Sequence, residues 1–268
     1  MTMTQEQSTK VSTSGTAYAF DNAWADAHRR LSLLEACYDP GTERRLGAIG
    51  VAPGWRCLEV GGGAGSVARW LSDRVGPSGN VVAVDLDPRF LAQIDAANLS
   101  VRGLDVTRED LPAGPFDLVH ARHLLMHLPE RLEVLDRLVR CLAPGGWLLL
   151  EEGDAFPTEA TEVDSRLWGW YSDALARAGA DVEWARRLPG LLDAAGLVDV
   201  TAEADAPVYR GGSPTAEMVR LSFTQVAERD SLDEETRVLV DEFCVALTDP
   251  GRWFTYYAAV AARGRTPG

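Results

Sequence analysis

A doubly wound α/β fold is what this sequence predicts, on two observations. Three short apolar runs, RCLEV, NVVAVD and FDLVHA, are bounded by Gly, Pro or Asn and separated by segments of helical pattern. That arrangement is the signature of βαβ units around a parallel sheet. The first run also leads straight into a glycine-rich turn, LEVGGGAGSVARW, Leu58 to Trp70. Glycine loses more backbone freedom on ordering than any other residue, so a turn this rich in it serves something that must approach the bare backbone.

In chain order, residues 1–20 are polar, with no basic start and no apolar run, and are expected to form a flexible leader rather than a signal peptide. Residues 21–50 form an N-terminal helical cover: Trp24, Leu31, Leu34 and Cys37 fall roughly on one helical face, Asp39-Pro40-Gly41 reads as a turn, and a second helix runs over 42–49. The α/β core, 51–206, opens with a strand ending at Val60 and a helix from near Ser66 to Val75. A strand closing at Asp85 follows, then a helix over 88–98 with proline in its first turn. A weaker strand at 99–103, the FDLVHA strand, a helix at 130–141, the turn APGG and a fifth strand at 146–152 come next. Helices at 163–178 and 183–195, within 160–195, are expected to contribute to the substrate side, and 197–206 reads as a sixth strand. Two helical stretches, 215–228 and 233–247, make a helical cap within 207–252, and WFTYYAAVAARGRT places a final strand and tail in 253–268.

The composition excludes several classes. Of 268 residues, 46% are hydrophobic and 25% charged, ordinary for a soluble globular chain rather than a disordered or collagen-like one. A net charge of -14 argues against a nucleic-acid partner, which would need clustered Lys and Arg. No stretch approaches the roughly 20 apolar residues that span a bilayer, so no membrane partner is expected. Cys37, Cys57, Cys141 and Cys244 are scattered without a C-x-x-C pair, which suits isolated thiols in a reducing, cytoplasmic compartment.

A helix start after a glycine turn carries partial positive charge, and missing Cβ atoms let a ligand lie against the chain. The spacing of Gly61, Gly63 and Gly65 is Gly-x-Gly-x-Gly rather than the Gly-x-Gly-x-x-Gly of dinucleotide folds, and no Gly-Lys-Ser/Thr follows to make a P-loop. Asp85, closing the second strand, can accept both hydroxyls of a ribose, or cap a helix. Asp105, after the third strand, can accept from an adenine amino group, or hold a turn. Asp87, beside Pro88, reads as a cap.

EVGGGAG, VVAVDLDP, GLDVTREDLP, FDLVHARHLLMHLPE and LAPGGWLLLEE, in that order and spacing, resemble the successive motifs of class I S-adenosylmethionine-dependent methyltransferases over about residues 51–152. The resemblance implies a Rossmann-like sheet of seven strands with the last antiparallel, and S-adenosylmethionine as cofactor. It implies that Glu59 and Gly61, Gly62, Gly63 and Gly65 flank the methionine part, Asp85 with Leu86 the ribose, and Asp105 with Val106 the adenine. His120, Ala121 and Arg122 would line the sulfonium side. The helical insert before the last strand departs from the minimal family pattern and suggests a substrate lid.

Methyl transfer from a sulfonium is a direct displacement, so the protein must align the reacting atoms and exclude water. His123 is the first candidate for a base or acceptor-orienting group, because loops at the carboxyl ends of strands face the ligand crevice, with a packed or capping histidine as the alternative. His127 is a weaker candidate. The two stand at i, i+4, but H-L-L-M-H lacks the zincin glutamate and a third ligand, so no metal is expected. Tyr18, Trp24, Trp168, Tyr171 and Trp253 are candidates to line an apolar acceptor pocket. The expected function is methyl transfer to an oxygen, nitrogen or carbon of a small molecule, a secondary metabolite in kind. The alternatives are a cyclase, isomerase or regulator that binds the cofactor without transferring methyl, and an NAD-linked oxidoreductase, against which the missing third glycine and Asp105 argue. A homodimer is left open.

Overall fold

Strand β1 (Arg56–Val60) is buried from Cys57 onward on both faces, as a central parallel strand must be. In the computed structural model, which describes residues 19–155 and 162–268, it pairs in parallel with β2 (Asn80–Asp85) and β4 (Phe116–Arg122). β3 (Leu99–Gly103) lies outside β2, and β5 (Leu142–Asp154) beside β4. The last strand, β9 (Ala258–Arg265), enters antiparallel between β5 and β6 (Val198–Asp205). The result is the expected seven-stranded sheet in the order β3-β2-β1-β4-β5-β9-β6, with its final strand antiparallel.

Helices α2 (Ser66–Val75), α3 (Arg131–Arg140) and α5 (Leu188–Ala194) return the chain between strands, and each buries an apolar stripe such as Val67, Leu71 and Val75 of α2. Full burial of a Leu, Val or Phe side chain contributes roughly 1.5–3 kcal/mol, and the sheet core is continuous from Leu58 and Phe116 to Trp184 and Leu192. A second core lies above it, where α1 (Ala27–Ile49), α4 (Glu162–Arg177), α6 (Pro214–Arg229) and α7 (Glu234–Ala246) meet around Tyr171, Phe223 and Val240. Ser213 caps α6 by accepting from the Ala216 amide at 3.2 Å, and Asp233 caps α7 from Thr236 at 2.7 Å. Among the described residues no helix is long and apolar enough to cross a membrane.

The structure corrects four expectations. Asp39-Pro40-Gly41 is not a turn: α1 runs unbroken through it. The guanidinium of Arg45 lies across Gly41, where an added Cβ would sit 2.8 Å from Nη1, and Asp39 is held by Arg122 and Ser66, so side-chain contacts fix a helix that proline would otherwise interrupt. The helix expected over 88–98 is one 3-10 turn, Leu91–Gln93. Leu91 and Ile94 insert beneath the glycine turn, and Asn98 bonds the carbonyls of Ser72 and Gly76, contacts a regular helix would forfeit. The helix expected over 183–195 is a 3-10 turn, Ala185–Arg187, running into α5. The final run divides: β8 (Trp253–Thr255) leaves the sheet to pair with β7 (Val208–Arg210), and only after Tyr256 and Tyr257 does β9 begin.

Candidate active site

The glycine turn is held by the strand beside it. Gly61 and Gly62 amides donate to the Val84 carbonyl at 2.8 and 3.2 Å, and Gly63 donates to Asp85 Oδ2 at 2.9 Å. Gly65 stands at φ +98°, where a Cβ would also collide with Ile94, so glycine is required there on both counts. Gly63, at φ +58°, has only Leu31 within 4 Å of a Cβ position and leaves its side open. Asp85 Oδ1 accepts from the Asp87 amide at 2.9 Å. A carboxylate offers about four lone-pair sites, so two backbone bonds fix Asp85 without exhausting it. Burial raises its pKa above the ordinary value and these two amides partly offset that.

Cover helix α1 reaches into the same place. Glu35 Oε1 accepts from the Ser66 amide at the start of α2, 2.9 Å away, and burial raises its pKa. Asp39 Oδ1 accepts from Ser66 Oγ at 2.9 Å and from Arg122 Nη2 at 2.8 Å. Leu31, Leu34, Glu35 and Tyr38 share one helical stripe and all face the cavity.

Behind this wall lies a buried ion network. Glu59 and His120 are register neighbours on β1 and β4, and His120 Nδ1 meets Glu59 Oε2 at 2.6 Å while Nε2 meets Glu151 Oε2 at 3.2 Å. Glu151 also accepts from Thr42 Oγ1 at 2.5 Å and Arg45 Nη1 at 2.7 Å. Arg45 continues the chain outward to Glu203 and Asp205. Burial opposes the charge on His120, but the two glutamates outweigh it and hold its pKa up at about 9. Burial likewise opposes the charge on Glu151, and His120 with Thr42 overcomes it, bringing the carboxyl to about 2.

One cavity of about 1070 Å³ runs from the glycine turn to α4, α6 and the segment before β9. Ligand pockets are typically roughly 300–1,000 Å³, so it has room for two small molecules side by side. α1 and α6 roof it: Trp24 Nε1 donates to Glu228 at 2.7 Å, Gln225 Nε2 to the Asp21 carbonyl at 2.9 Å, and Arg29 pairs with Glu217 at 3.0 Å. At the end of β4 the chain turns through His123, at φ +51°, a left-handed backbone unusual for a residue with a side chain. Its amide donates to the Glu151 carbonyl at 2.8 Å, its ring meets Tyr38 edge-on at 4.7 Å, and Nε2 is buried without a hydrogen-bond partner. Burial first, then nearby Arg122, lowers its pKa to about 3; burial and Arg30 do the same for His127. Buried Glu152 moves the other way, to about 8, although the Leu125 amide donates to it at 2.8 Å.

Of the residues singled out from sequence, Glu59, Gly61, Gly62, Gly63, Asp85, Leu86, Asp105, Val106, Arg122, His123, His127, Trp24 and Tyr171 line this cavity. Gly65, His120 and Ala121 do not; Gly65 packs on Ile94, and His120 and Ala121 are wholly buried in the sheet. Asp105 Oδ1 is taken by its own turn, accepting from the amide and hydroxyl of Thr107 at 2.9 and 2.6 Å. Trp168 packs inside the upper core against Phe223 instead of lining the cavity, and Trp253 is 60% exposed on β8, stacked under Arg210. Tyr18 lies outside the described residues. Among those residues no group of three or more His, Cys, Asp or Glu could hold a metal ion. Sequence reasoning missed Glu35, Tyr38 and Gln225, all on the cavity wall. The stripe of Leu31 and Leu34 pointed to Glu35 and Tyr38 and was cut short by the assumed turn.

A methyltransferase-domain family model matches residues 18–202. The chain is 28% identical to the methyltransferase str3 of Strobilurus tenacellus over 207 residues, 72% of this chain and 74% of that one. It is 32% identical to the ubiquinone/menaquinone biosynthesis C-methyltransferase UbiE of Bordetella parapertussis over 134 residues, 47% of this chain and 50% of that one. Apart from the first, the chain spans about half the length, or less, of the curated relatives it matches. Among solved structures its fold is similar to a phosphoethanolamine N-methyltransferase of Haemonchus contortus, with a TM-score of 0.59 at 16% identity, covering 91% of this chain and 58% of that one.

Proposed function

Because the chain belongs to the methyltransferase family, whose methyl donor is S-adenosylmethionine, we propose that it acts in the cytoplasm and methylates an oxygen, nitrogen or carbon of a small molecule, a secondary metabolite in kind. The observation that carries this reading is the continuity of the cavity from the glycine turn to an aromatic chamber under a two-helix roof. The donor set fits the cofactor along its length. Glu59 and Glu35 offer carboxylates to an ammonium, Gly63 leaves its side open, Asp85 can accept from a ribose diol, and exposed Leu86 with Val106 gives an apolar strip for a base. The bound cofactor supplies an electrophilic methyl group.

The protein's own residues do the rest. The α1 and α6 roof excludes water, and Trp24, Gln225 and Arg29 fasten it. His123, neutral at pH 7, is too weak a base to store the acceptor's proton; its buried Nε2 orients the acceptor by hydrogen bonding. His127 backs the same wall.

Calorimetric titration with S-adenosylmethionine, S-adenosylhomocysteine and NAD tests the reading. Both adenosyl ligands are expected to bind, NAD not, and Asp85→Ala to weaken binding by about tenfold or more, since hydrogen bonds to a charged group contribute roughly 1.5–3 kcal/mol. NAD binding alone, or no binding, overturns it. Product that forms without stoichiometric S-adenosylhomocysteine assigns the chain to cyclase or isomerase chemistry instead.

A further inference from the structure

Among the described residues two buried atoms of the chamber that can accept a hydrogen bond stand without partners. Gln225 is 5% exposed on α6, and because its Nε2 donates to the Asp21 carbonyl the amide orientation is fixed, leaving Oε1 buried as an unused acceptor. His123 Nε2 is the second. An unsatisfied buried acceptor is destabilising by roughly 1–3 kcal/mol, and the Nε2 bond to Asp21 leaves that of Gln225 unanswered. Around them the wall is aromatic: Tyr256 stacks on Tyr257 at 5.3 Å between centroids, and Tyr171 on Phe223 at 4.2 Å. The tyrosine hydroxyls are already engaged, Tyr257 with Ser172 at 2.8 Å and Tyr171 with Tyr256 at 3.4 Å.

We propose that this chamber takes a neutral hydroxyaromatic molecule, whose flat body packs on the tyrosines and whose hydroxyl groups donate to Gln225 Oε1 and bond His123 Nε2. The assignment rests on the functional reading above and narrows its acceptor class. Around His123 the neighbouring charges are chiefly Arg122 and Arg30, which disfavour a cationic amine at that end, although carboxylates such as Glu35 and Glu228 line the cavity farther off. An anionic ring is disfavoured at Gln225, because the orphan there is a carbonyl oxygen that needs a donor. An aromatic ether or bare hydrocarbon would fill the space and leave both orphans unpaired.

The test uses 2-naphthol, 2-methoxynaphthalene, naphthalene and 2-naphthoate as probes, titrated into the full chain with and without S-adenosylhomocysteine. The expected result is binding of 2-naphthol about tenfold or more tighter than its methyl ether or naphthalene, the ratio that one satisfied buried acceptor gives. In Gln225→Met the preference should collapse to about the level of naphthalene while naphthalene still binds. His123→Asn, a residue that tolerates the left-handed backbone, should reduce the preference in part and serves as the second variant should Gln225→Met not fold. Equal affinity for naphthol and its ether, tightest binding by naphthoate, or a preference unchanged in both variants overturns the proposal. S-adenosylhomocysteine bound without a naphthol preference defeats only this inference. A naphthol preference without S-adenosylhomocysteine binding defeats only the cofactor reading.

Discussion

His120 and His123 stand three residues apart on and after β4 and occupy opposite settings. Behind the glycine turn, His120 lies between Glu59 and Glu151 in a chain of alternating charges that runs on through Arg45. In the chamber, His123 and His127 sit among tyrosines and near arginines, and carry no charge at neutral pH. One region is polar and mutually satisfied; the other is apolar with unsatisfied polar atoms left in it. The residue type is shared, so the difference lies in what the neighbouring strands and helices bring up to it. The first arrangement closes on itself, and the second leaves acceptors unpaired.

The sharpest way to break this contrast is His120→Leu, which strands two buried carboxylates. Removing one partner of a buried ion pair costs about 3–5 kcal/mol, so the urea midpoint should fall steeply; a change within error would show the network to be slack. The pH profile sharpens the comparison. His120, raised to about 9, contributes stability that is whole below its ordinary 6.5 and lost as pH climbs through 9. His123 and His127, lowered to about 3, contribute stability that is whole above 6.5 and lost as pH falls through 3. Glu152, raised to about 8 from 4.5, adds to the alkaline loss, and Glu151, lowered to about 2, to the acid one. Urea midpoints measured against pH should therefore decline on both sides of slightly acid to neutral pH, with His120→Gln flattening the alkaline limb, of which Glu152 keeps part, and easing the acid limb as well because His120 helps hold Glu151 down. The smallest effect is expected on the roof. Arg29→Gln removes the pair with Glu217 while leaving Glu217 its bonds to Arg220, and such a pair contributes about 0–1 kcal/mol; a larger loss would make the roof more than a lid.

The sheet and its glycine turn were legible because their constraints are local. A buried parallel strand needs an apolar run, a turn at φ +98° needs glycine, and Asp85 closes its strand within a short motif. The chamber was not legible, because it is assembled from distant segments: Tyr38 from α1, His123 after β4, Gln225 from α6, Tyr256 and Tyr257 before β9. His123 stood out as a candidate, but Tyr38 and Gln225 read as ordinary helix residues from their own neighbours. The two largest errors have the same origin. Pro40 stays helical because Arg45 and Arg122 hold its flanks, and residues 88–98 stay unwound because Leu91 and Ile94 pack beneath the glycine turn. In both, tertiary contacts overrule a correct local preference. His120 was placed at the strand end, but it pairs with its β-register partner Glu59 and does not line the cavity.

The antiparallel insertion of β9 also sets the order in which the molecule can be completed. Its pairs with β5 join residues more than a hundred positions apart, and until it is synthesised β5 and β6 each carry an open edge that cannot close on the other. Tyr256 and Tyr257 directly precede it, so the zippering of the last strand and the furnishing of the chamber are one event. A chain emerging from the ribosome thus owns the glycine turn and Asp85 long before it owns the tyrosines that wall the chamber.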